Sequence, residues 1–427
     1  MRVKSAFGSP SYFFRCSQKL GGMTRDVSRR GFLRGMLAGS AAVTAGAAAG
    51  AARGTTPIKG RWYQHGGDAA NTNRTADRGP QFTQRTRWRD ELPSTDSAPL
   101  VAGDTVAVLE LSSEGPRIHA LNASTGTTRW RASVPGSVVS GVLATDDERV
   151  FTATVLEPQV VAFDRTTGER RWRTDLGGAE EGAQLGVAGG FRTSPLVRDG
   201  RLYLKSRAAS SAPASVVALN AATGEVESTA PVQSTHVAVG ADRVVGSRGS
   251  AFLEEHGLEE IALDSEESTG ELRYETAGRP GRPTIGDDLT FVGTSENRLH
   301  AVDEDWEEAW TADTTDWAVS LAVADGVVLA KSGEQLLAFD AATGERLWSA
   351  PAGGPRPVVG SGVAYVGREN GFDGYDVGSG ERVVTYRNPL LQGRMSYLSV
   401  AGGALLASAQ RGAILAVQEQ IDLPARF

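Results

Sequence analysis

The string AFDRTTGERRW at residues 162–172 recurs almost unchanged as AFDAATGERLW at residues 338–348. Worn copies of the pattern Ala-x-Asp-x-x-Thr-Gly-x-x-x-Trp occur between these two strings and on both sides of them. We call the last position of the pattern, where the best copies have Trp, the closing position. It falls at residues 88, 130, 172, 228, 274, 310, 348 and 384. Their average spacing is that of a four-stranded blade, the repeating unit of a β-propeller. The repeat therefore predicts a fold assembled from copies of one small β unit.

Each copy has the pattern of a strand, a tight turn and a second strand. Apolar, β-branched-rich runs such as PQVVAF precede the turn and predict a buried strand. An Asn or Asp side chain accepts hydrogen bonds from the following backbone N–H groups, and a Gly allows a positive φ. The predicted turn residues are Asn122 with Gly126, Asp164 with Gly168, Asn220 with Gly224, Asp264 with Gly270, Asp340 with Gly344 and Asp376 with Gly380.

Six of the eight copies end on an aromatic residue, which we expect to pack against the neighbouring blade. These residues are Trp88, Trp130, Trp172, Tyr274, Trp310 and Trp348. If such a Trp is buried, truncation to Ala costs about 3–5 kcal/mol of stability.

The two ends of the repeat region predict how the ring closes. The last unit, residues 396–420, contains only three strands, and the first, around Trp88, contains only a final strand. Pairing the two would complete one composite blade and leave no open sheet edge. We predict an all-β, eight-bladed propeller over residues 83–422, preceded by a leading segment at residues 53–82. Seven blades are the alternative, because the unit between Val237 and Tyr274 is poorly patterned.

Residues 1–52 have the features of an export signal. SRRGFLR, at residues 28–34, matches the twin-arginine signature through Arg29, Arg30, Phe32 and Leu33, and a mildly apolar, Ala-rich run follows it. We expect export in the folded state to the cell surface or the medium. Cleavage and an uncleaved N-terminal anchor both remain open, and Met23 is an alternative start.

The repeat resembles the tryptophan-docking motif of quinoprotein alcohol dehydrogenase-like (PQQ-like) propellers. It is also similar to the repeat of the barrel-assembly lipoprotein family of outer membranes, whose members bind no quinone. WYQHGGDAANTNRT, residues 62–75, looks like the segment found before such propellers. The first resemblance implies pyrroloquinoline quinone (PQQ) and calcium, but its adjacent cysteine pair is absent, since Cys16 is the only cysteine.

The composition argues against nucleic acid as a partner. Residues 1–51 hold eight of the 44 basic residues and one of the 51 acidic ones, so the remainder has a formal net charge of −14. Only Lys59, Lys205 and Lys331 supply lysine after residue 51. Such an acidic, lysine-poor surface resembles secreted proteins of halophilic archaea, although a GC-rich genome would also favour Arg.

No catalytic, cofactor-binding or metal-ligating residue is predicted. The sequence has no nucleophile elbow, phosphate-binding loop or His/Cys metal spacing. His119 and His300 occupy the same place in two copies, which indicates a structural role. Asn73 and Asn122 begin glycosylation sequons, and Asn122 is also a turn residue.

We therefore expect a monomeric, non-catalytic propeller that binds protein partners or scaffolds an assembly. A PQQ/calcium-dependent dehydrogenase and a small-ligand (sugar) binding module are the alternatives. The insertions at residues 175–191 and 206–215 are candidate partner surfaces, because propellers carry function on their loops.

Overall fold

The computed structural model describes residues 56–419 apart from 93–96, 137, 139–141, 155–157, 178–192, 207–213, 250–254, 264–269, 319, 355, 392 and 410–411. These residues belong to the second of two compact units, Thr56–Phe427. The export-signal residues Arg29, Arg30, Phe32 and Leu33, the turn residue Asp264 and most of both insertions lie outside the described residues.

Every regular element among the described residues is a β-strand, and the blades follow one another in chain order. Three strands precede them: β1 (Gly60–Trp62), β2 (Arg74–Thr75) and β3 (Gln84–Glu91). Blade 1 contains β4 (Leu100–Gly103), β5 (Thr105–Ser112), β6 (Gly115–Asn122) and β7 (Thr128–Ser133). Blade 2 contains β8 (Leu143–Thr145), β9 (Arg149–Ala153), β10 (Gln159–Asp164) and β11 (Arg170–Asp175). Blade 3 contains β12 (Leu196–Arg198), β13 (Arg201–Lys205), β14 (Ala214–Asn220) and β15 (Val226–Val232).

The next four blades have the same plan. Blade 4 contains β16 (His236–Val239), β17 (Val244–Arg248), β18 (Gly257–Ile261) and β19 (Gly270–Glu275). Blade 5 contains β20 (Thr284–Ile285), β21 (Thr290–Thr294), β22 (Arg298–Val302) and β23 (Glu308–Asp313). Blade 6 contains β24 (Ser320–Ala324), β25 (Val327–Ser332), β26 (Gln335–Asp340) and β27 (Arg346–Pro351). Blade 7 contains β28 (Val358–Gly360), β29 (Val363–Arg368), β30 (Gly371–Asp376) and β31 (Arg382–Arg387).

Blade 8 joins the two ends of the repeat region. It contains β32 (Met395–Ala401), β33 (Ala404–Ala409) and β34 (Ala413–Glu419), and β3 pairs antiparallel with β34 as its fourth strand. The first strand of each blade lies nearest the axis, and we call it the inner strand. Each inner strand contacts that of the next blade, and β32 contacts β4 to close the ring. The predicted eight-bladed propeller is therefore confirmed. The seven-blade alternative is excluded, because β16–β19 form a complete blade.

The hydrophobic core lies between the faces of neighbouring blades. One cluster joins Phe151 and Val160 of blade 2 to Leu202 and Leu219 of blade 3, all of them fully buried. Strands with both faces covered need apolar side chains at successive positions, as in β10, where every residue is buried. Within the described part of the chain, no helix is long and apolar enough to span a membrane.

Candidate functional site: the axis of the ring

The closing aromatic residues connect neighbouring blades through indole hydrogen bonds. Trp130 Nε1 of blade 1 donates to the carbonyl oxygen of Arg165 in the blade 2 turn, at 2.9 Å. A Cβ on Gly168 would lie only 2.6 Å from the Trp130 ring, and Gly168 has a φ of 74°. The same indole bond occurs for Trp88 to Ala123, Trp172 to Ala221, Trp310 to Ala341 and Trp348 to Val377. Tyr274 instead bonds His300 and Glu308 of blade 5.

The turns that receive these indoles are alike in five blades. In blade 2, the N–H groups of Thr166 and Thr167 both donate to Asp164 Oδ1, at 2.8 Å. Asn122, Asn220, Asp340 and Asp376 accept equivalent bonds, and Gly126, Gly224, Gly344 and Gly380 have a positive φ. Blade 4 differs, because Gly270 begins β19 without a positive φ. Gly270 is therefore not a turn glycine of the kind predicted, and the residues between Asp264 and Gly270 lie outside the described part of the chain.

A β-bulge precedes the closing residue in all eight blades. The pairing between the third and fourth strands skips one residue, as between Ala338↔Trp348 and Phe339↔Arg346. We call the skipped positions the bulge residues: Arg87, Arg129, Arg171, Glu227, Arg273, Ala309, Leu347 and Val383. A bulge rotates the strand locally, so it reorients the closing residue that follows.

The leading segment occupies the axis of the ring, which the repeat did not predict. We call Gly60–Asp77 the axial segment. Its first strand, β1, pairs with β4 of blade 1. The carbonyl oxygen of Tyr63 then accepts from Thr145 N of blade 2 at 2.8 Å, and Gln64 Oε1 accepts from Val197 N of blade 3 at 2.6 Å.

The axial segment continues around the remaining blades in order. Ala69, Ala70 and Thr72 accept, through their carbonyl oxygens, from Val239 N of blade 4, Ile285 N of blade 5 and Val323 N of blade 6, respectively. Strand β2 then pairs with β28 of blade 7, and Asp77 Oδ2 accepts from Gly402 N of blade 8 at 3.0 Å. The axial segment therefore hydrogen-bonds to every blade at or next to its inner edge, which would otherwise be unpaired there.

Two asparagines let the axial segment curve this tightly. Asn71 and Asn73 have φ values of 60° and 52°, in the left-handed region that Asn tolerates better than most residues. Asn71 Nδ2 donates to the carbonyl oxygens of Val237 and Pro283, at 2.9 and 3.1 Å, and so connects blades 4 and 5. Asn73 is 2% exposed and its Nδ2 donates to Leu321 of blade 6. Burial leaves no room for a glycan on Asn73 in the folded ring.

Basic side chains gather at the axis. Arg282 and Arg356 lie two residues before the inner strands of blades 5 and 7, and His236 begins that of blade 4. Arg356 Nη1 donates to the carbonyl oxygen of His65 in the axial segment, at 2.8 Å. The His65 ring packs against Tyr397 of blade 8, with centroids 5.2 Å apart.

Burial and mutual repulsion lower the pKa values of these basic side chains. Burial lowers the pKa of Arg282 to about 10, and burial together with the charge of Arg282 lowers the pKa of Arg356 well below its usual value. Burial, followed by the charges of Arg282, Lys205 and Arg356, lowers the pKa of His236 to about 3. The pKa of His65 is also lowered, by burial and then by the two arginines. Both histidines are therefore neutral at pH 7.

These residues do not fit a calcium-dependent quinone. Calcium takes six to eight oxygen ligands, mostly carboxylates and carbonyls. Among the described residues, no group of three or more His, Cys, Asp or Glu could hold a metal ion. The carboxylates of Asp68 and Asp77 in the axial segment accept hydrogen bonds from Thr72 and Gly402, and the other groups at the axis are guanidinium, imidazole and amide groups, so we derive no reaction through a quinone.

A groove between blades 3 and 4 is another concave surface. Arg201, Tyr203, Asp242, Arg243 and Glu260 line it. Tyr203 is only 8% exposed and offers little ring surface. The groove therefore lacks the open aromatic face expected of a sugar-binding site.

The histidines of the repeat are held in structural contacts. His119 Nε2 accepts from Arg131 Nε at 3.0 Å and lies 2.8 Å from Thr128 Oγ1. Burial, then the Arg131 charge, lowers the pKa of His119 to about 4. His300, at the equivalent place in blade 5, bonds Tyr274, and burial lowers its pKa too.

The comparisons with known proteins agree with this architecture. A family model described as outer membrane protein assembly factor BamB matches residues 81–258 and 212–420. A search of curated proteins finds no match for the chain.

Solved structures share the fold at low sequence identity. BamB from Moraxella catarrhalis aligns with a TM-score of 0.54 and 16% identity, over 79% of this chain and all of that one. Quinohemoprotein alcohol dehydrogenase from Comamonas testosteroni aligns with a TM-score of 0.63 and 12% identity, over 90% of this chain and 85% of that one. A europium-containing methanol dehydrogenase aligns with a TM-score of 0.59 and 12% identity, over 77% of this chain and 85% of that one.

Proposed function

Because this chain belongs to the PQQ-like propeller family described as outer membrane protein assembly factor BamB, we propose that it is an exported, non-catalytic scaffold that binds other proteins at the cell surface. A repeat ring suits this role, since it presents a large rigid surface on which partner-specific side chains can vary. The twin-arginine signature at residues 28–34 motivates the proposed export.

The observation that carries the proposal is the character of the bulge residues. In blades 8, 1, 2 and 4 the bulge residue is Arg, and in blade 3 it is Glu. In the three consecutive blades 5, 6 and 7 it is Ala309, Leu347 and Val383, and all three are exposed. Leu347 and Val383 are 44% and 40% exposed.

The bulge position is therefore apolar and exposed in three consecutive blades and charged in the other five. Single exposed apolar residues are normal, whereas neighbouring ones rimmed by polar residues mark protein interaction sites. Leu390, in the loop after blade 7, is 74% exposed and adds a further apolar side chain to this part of the ring. We therefore place the partner surface on the outer strands of blades 5–7.

Substitution of Leu347 tests this surface. We expect Leu347→Asp to lose the partners that cross-link to, and co-purify with, the wild-type protein from its native cell envelope, because a buried carboxylate in the interface would be unpaired. Ser349→Asp is the matched control, as Ser349 is also exposed on β27. Both variants should keep the wild-type melting temperature.

Recovery of the same partners with Leu347→Asp and with Val383→Asp would contradict the proposed surface. Turnover of simple alcohols by the purified protein with PQQ and calcium would instead support the dehydrogenase alternative, whose fold the quinohemoprotein neighbours share.

A further inference from the structure

The arginines at the axis differ from most others in the ring in having no acidic partner. Among the described residues, Arg282 makes no hydrogen bond or ion pair, and the one bond of Arg356 goes to a backbone carbonyl. Most arginines of the ring have an acidic partner, as in the Arg248–Glu259 and Arg368–Asp373 pairs, at 3.1 and 2.7 Å, although the partly buried Arg87, Arg243 and Arg279 also make no ion pair among the described residues. Within the part of the chain that the structure describes, the axial arginines are thus uncompensated, in a ring that is strongly acidic overall.

Two buried nitrogen atoms at the axis also have no hydrogen-bond partner among the described residues. They are Arg356 Nε and His65 Nδ1. Buried polar atoms are nearly always satisfied in native proteins, by protein groups, water or a ligand. The guanidinium fork of Arg is suited to carboxylate and phosphate oxygens, which it binds in a bidentate manner.

Arg282 and Arg356 both lie at the inner edge of the ring, each just before the inner strand of its blade. Arg282 and Arg356 come from blades 5 and 7, and their charges act on each other, on His65 and on His236. The axial segment pairs with the last residues of inner strands, such as Gly103, Thr145 and Ile285. The arginines precede the first residues of inner strands, at the opposite mouth of the ring, and Arg356 reaches back from there to the His65 carbonyl oxygen of the axial segment.

We propose that this mouth of the axis is a binding site for a compact, multiply charged oxyanion, a phosphate or a small polycarboxylate, held by Arg282 and Arg356. The anion supplies the negative charge that the described residues do not provide there. Arg356 Nε donates to it directly, while Nη1 remains bonded to His65 and keeps the side chain oriented. His65 and His236 stay neutral, so that they contribute polar contacts rather than charge.

Binding to the full chain at low ionic strength tests the site, with inorganic phosphate and citrate as probes. Calorimetry should show saturable binding of at least one probe, and that probe should raise the melting temperature. Which of the two binds more tightly distinguishes a phosphate site from a carboxylate site. Arg282→Gln/Arg356→Gln should weaken binding by about tenfold to a hundredfold per guanidinium.

The matched control removes two exposed arginines instead. Arg85→Gln/Arg382→Gln changes the net charge equally, at side chains on the outer strands β3 and β31. This control should retain wild-type affinity. Without any anion, the axial double variant should melt at or above the wild-type temperature, because it removes repulsion between like charges.

Three results would overturn the proposal. The first is no heat of binding to the wild-type chain with either probe at millimolar concentration, a result that needs no variant to fold. The second is an equal loss of affinity in the axial and the surface double variants. The third is binding of PQQ without binding of phosphate or citrate, which would indicate a large planar ligand rather than a compact anion.

Discussion

At the residue scale, one aromatic side chain at most blade boundaries combines burial with a directed hydrogen bond. Trp130 is 8% exposed, covers the turn glycine Gly168 and donates to the Arg165 carbonyl oxygen. The ring needs such a contact because neighbouring blades share no backbone ladder. The aromatic residue at the closing position therefore packs between two blades rather than within one.

Truncation of this residue should be costly. We expect Trp130→Ala to lower the free energy of unfolding by about 3–5 kcal/mol, through lost burial and a cavity between blades 1 and 2. Trp130→Phe should recover most of this and lose about 1 kcal/mol for the indole bond. Far-ultraviolet circular dichroism during urea unfolding gives both values.

Trp317→Ala is the control for Trp130, since Trp317 lies outside the repeat and is only partly buried. A loss in Trp130→Ala no larger than in this control would show that the indole does not stabilise the blade boundary.

At the element scale, the axial segment connects the inner strands of all eight blades. The inner strand of a blade has one neighbour on its outer side and would present free N–H and C=O groups to the axis. The axial segment pairs with these groups in turn, from β1 on blade 1 to Asp77 on blade 8. Its contribution is therefore distributed around the whole ring.

Asn71 is the position where this element can be tested. Asn71→Ala should cost about 2–4 kcal/mol, because two amide bonds are lost and Ala disfavours a φ of 60°. Asn71→Gly removes the same bonds without the backbone strain, so it should cost about 1 kcal/mol less. Asn297→Ala, at an exposed turn with a φ of 61°, isolates the strain alone. Equal melting temperatures for Asn71→Ala and Asn297→Ala would disprove the bridging role.

At the scale of the whole molecule, the ring is held shut by pairing between its ends. Strands β3 and β34 pair from Gln84↔Glu419 to Glu91↔Ala413, more than 300 residues apart in sequence. Such a non-local closure carries a large entropic cost before it is formed, and it removes two open edges once it is formed.

Removal of β34 should therefore open the ring. A chain ending at residue 412 should lose cooperative unfolding and elute as larger species in size-exclusion chromatography, since β3 and β33 would expose unpaired edges. A chain ending at residue 419 keeps β34 and serves as the control. A cooperative, monomeric chain ending at residue 412 would refute closure through this pair of strands.

The repeat pattern by itself determined the fold class, the number of blades and the composite blade at the seam. Residues such as Asp164, Gly168 and Trp172 lie within one short string, and local turn chemistry and strand alternation decide their conformation. The sequence also shows that Leu347 and Val383 directly precede a closing position. Only the bulges of the structure show that both side chains are exposed.

Only the tertiary structure decided the course of the axial segment and the grouping at the axis. Residues 60–77 carry no repeat, and their backbone and side-chain hydrogen bonds reach all eight blades. Arg282 and Arg356 lie outside the repeated string and are 74 positions apart in the sequence. Closure of the ring brings them together, because the inner strands of all the blades converge on one axis.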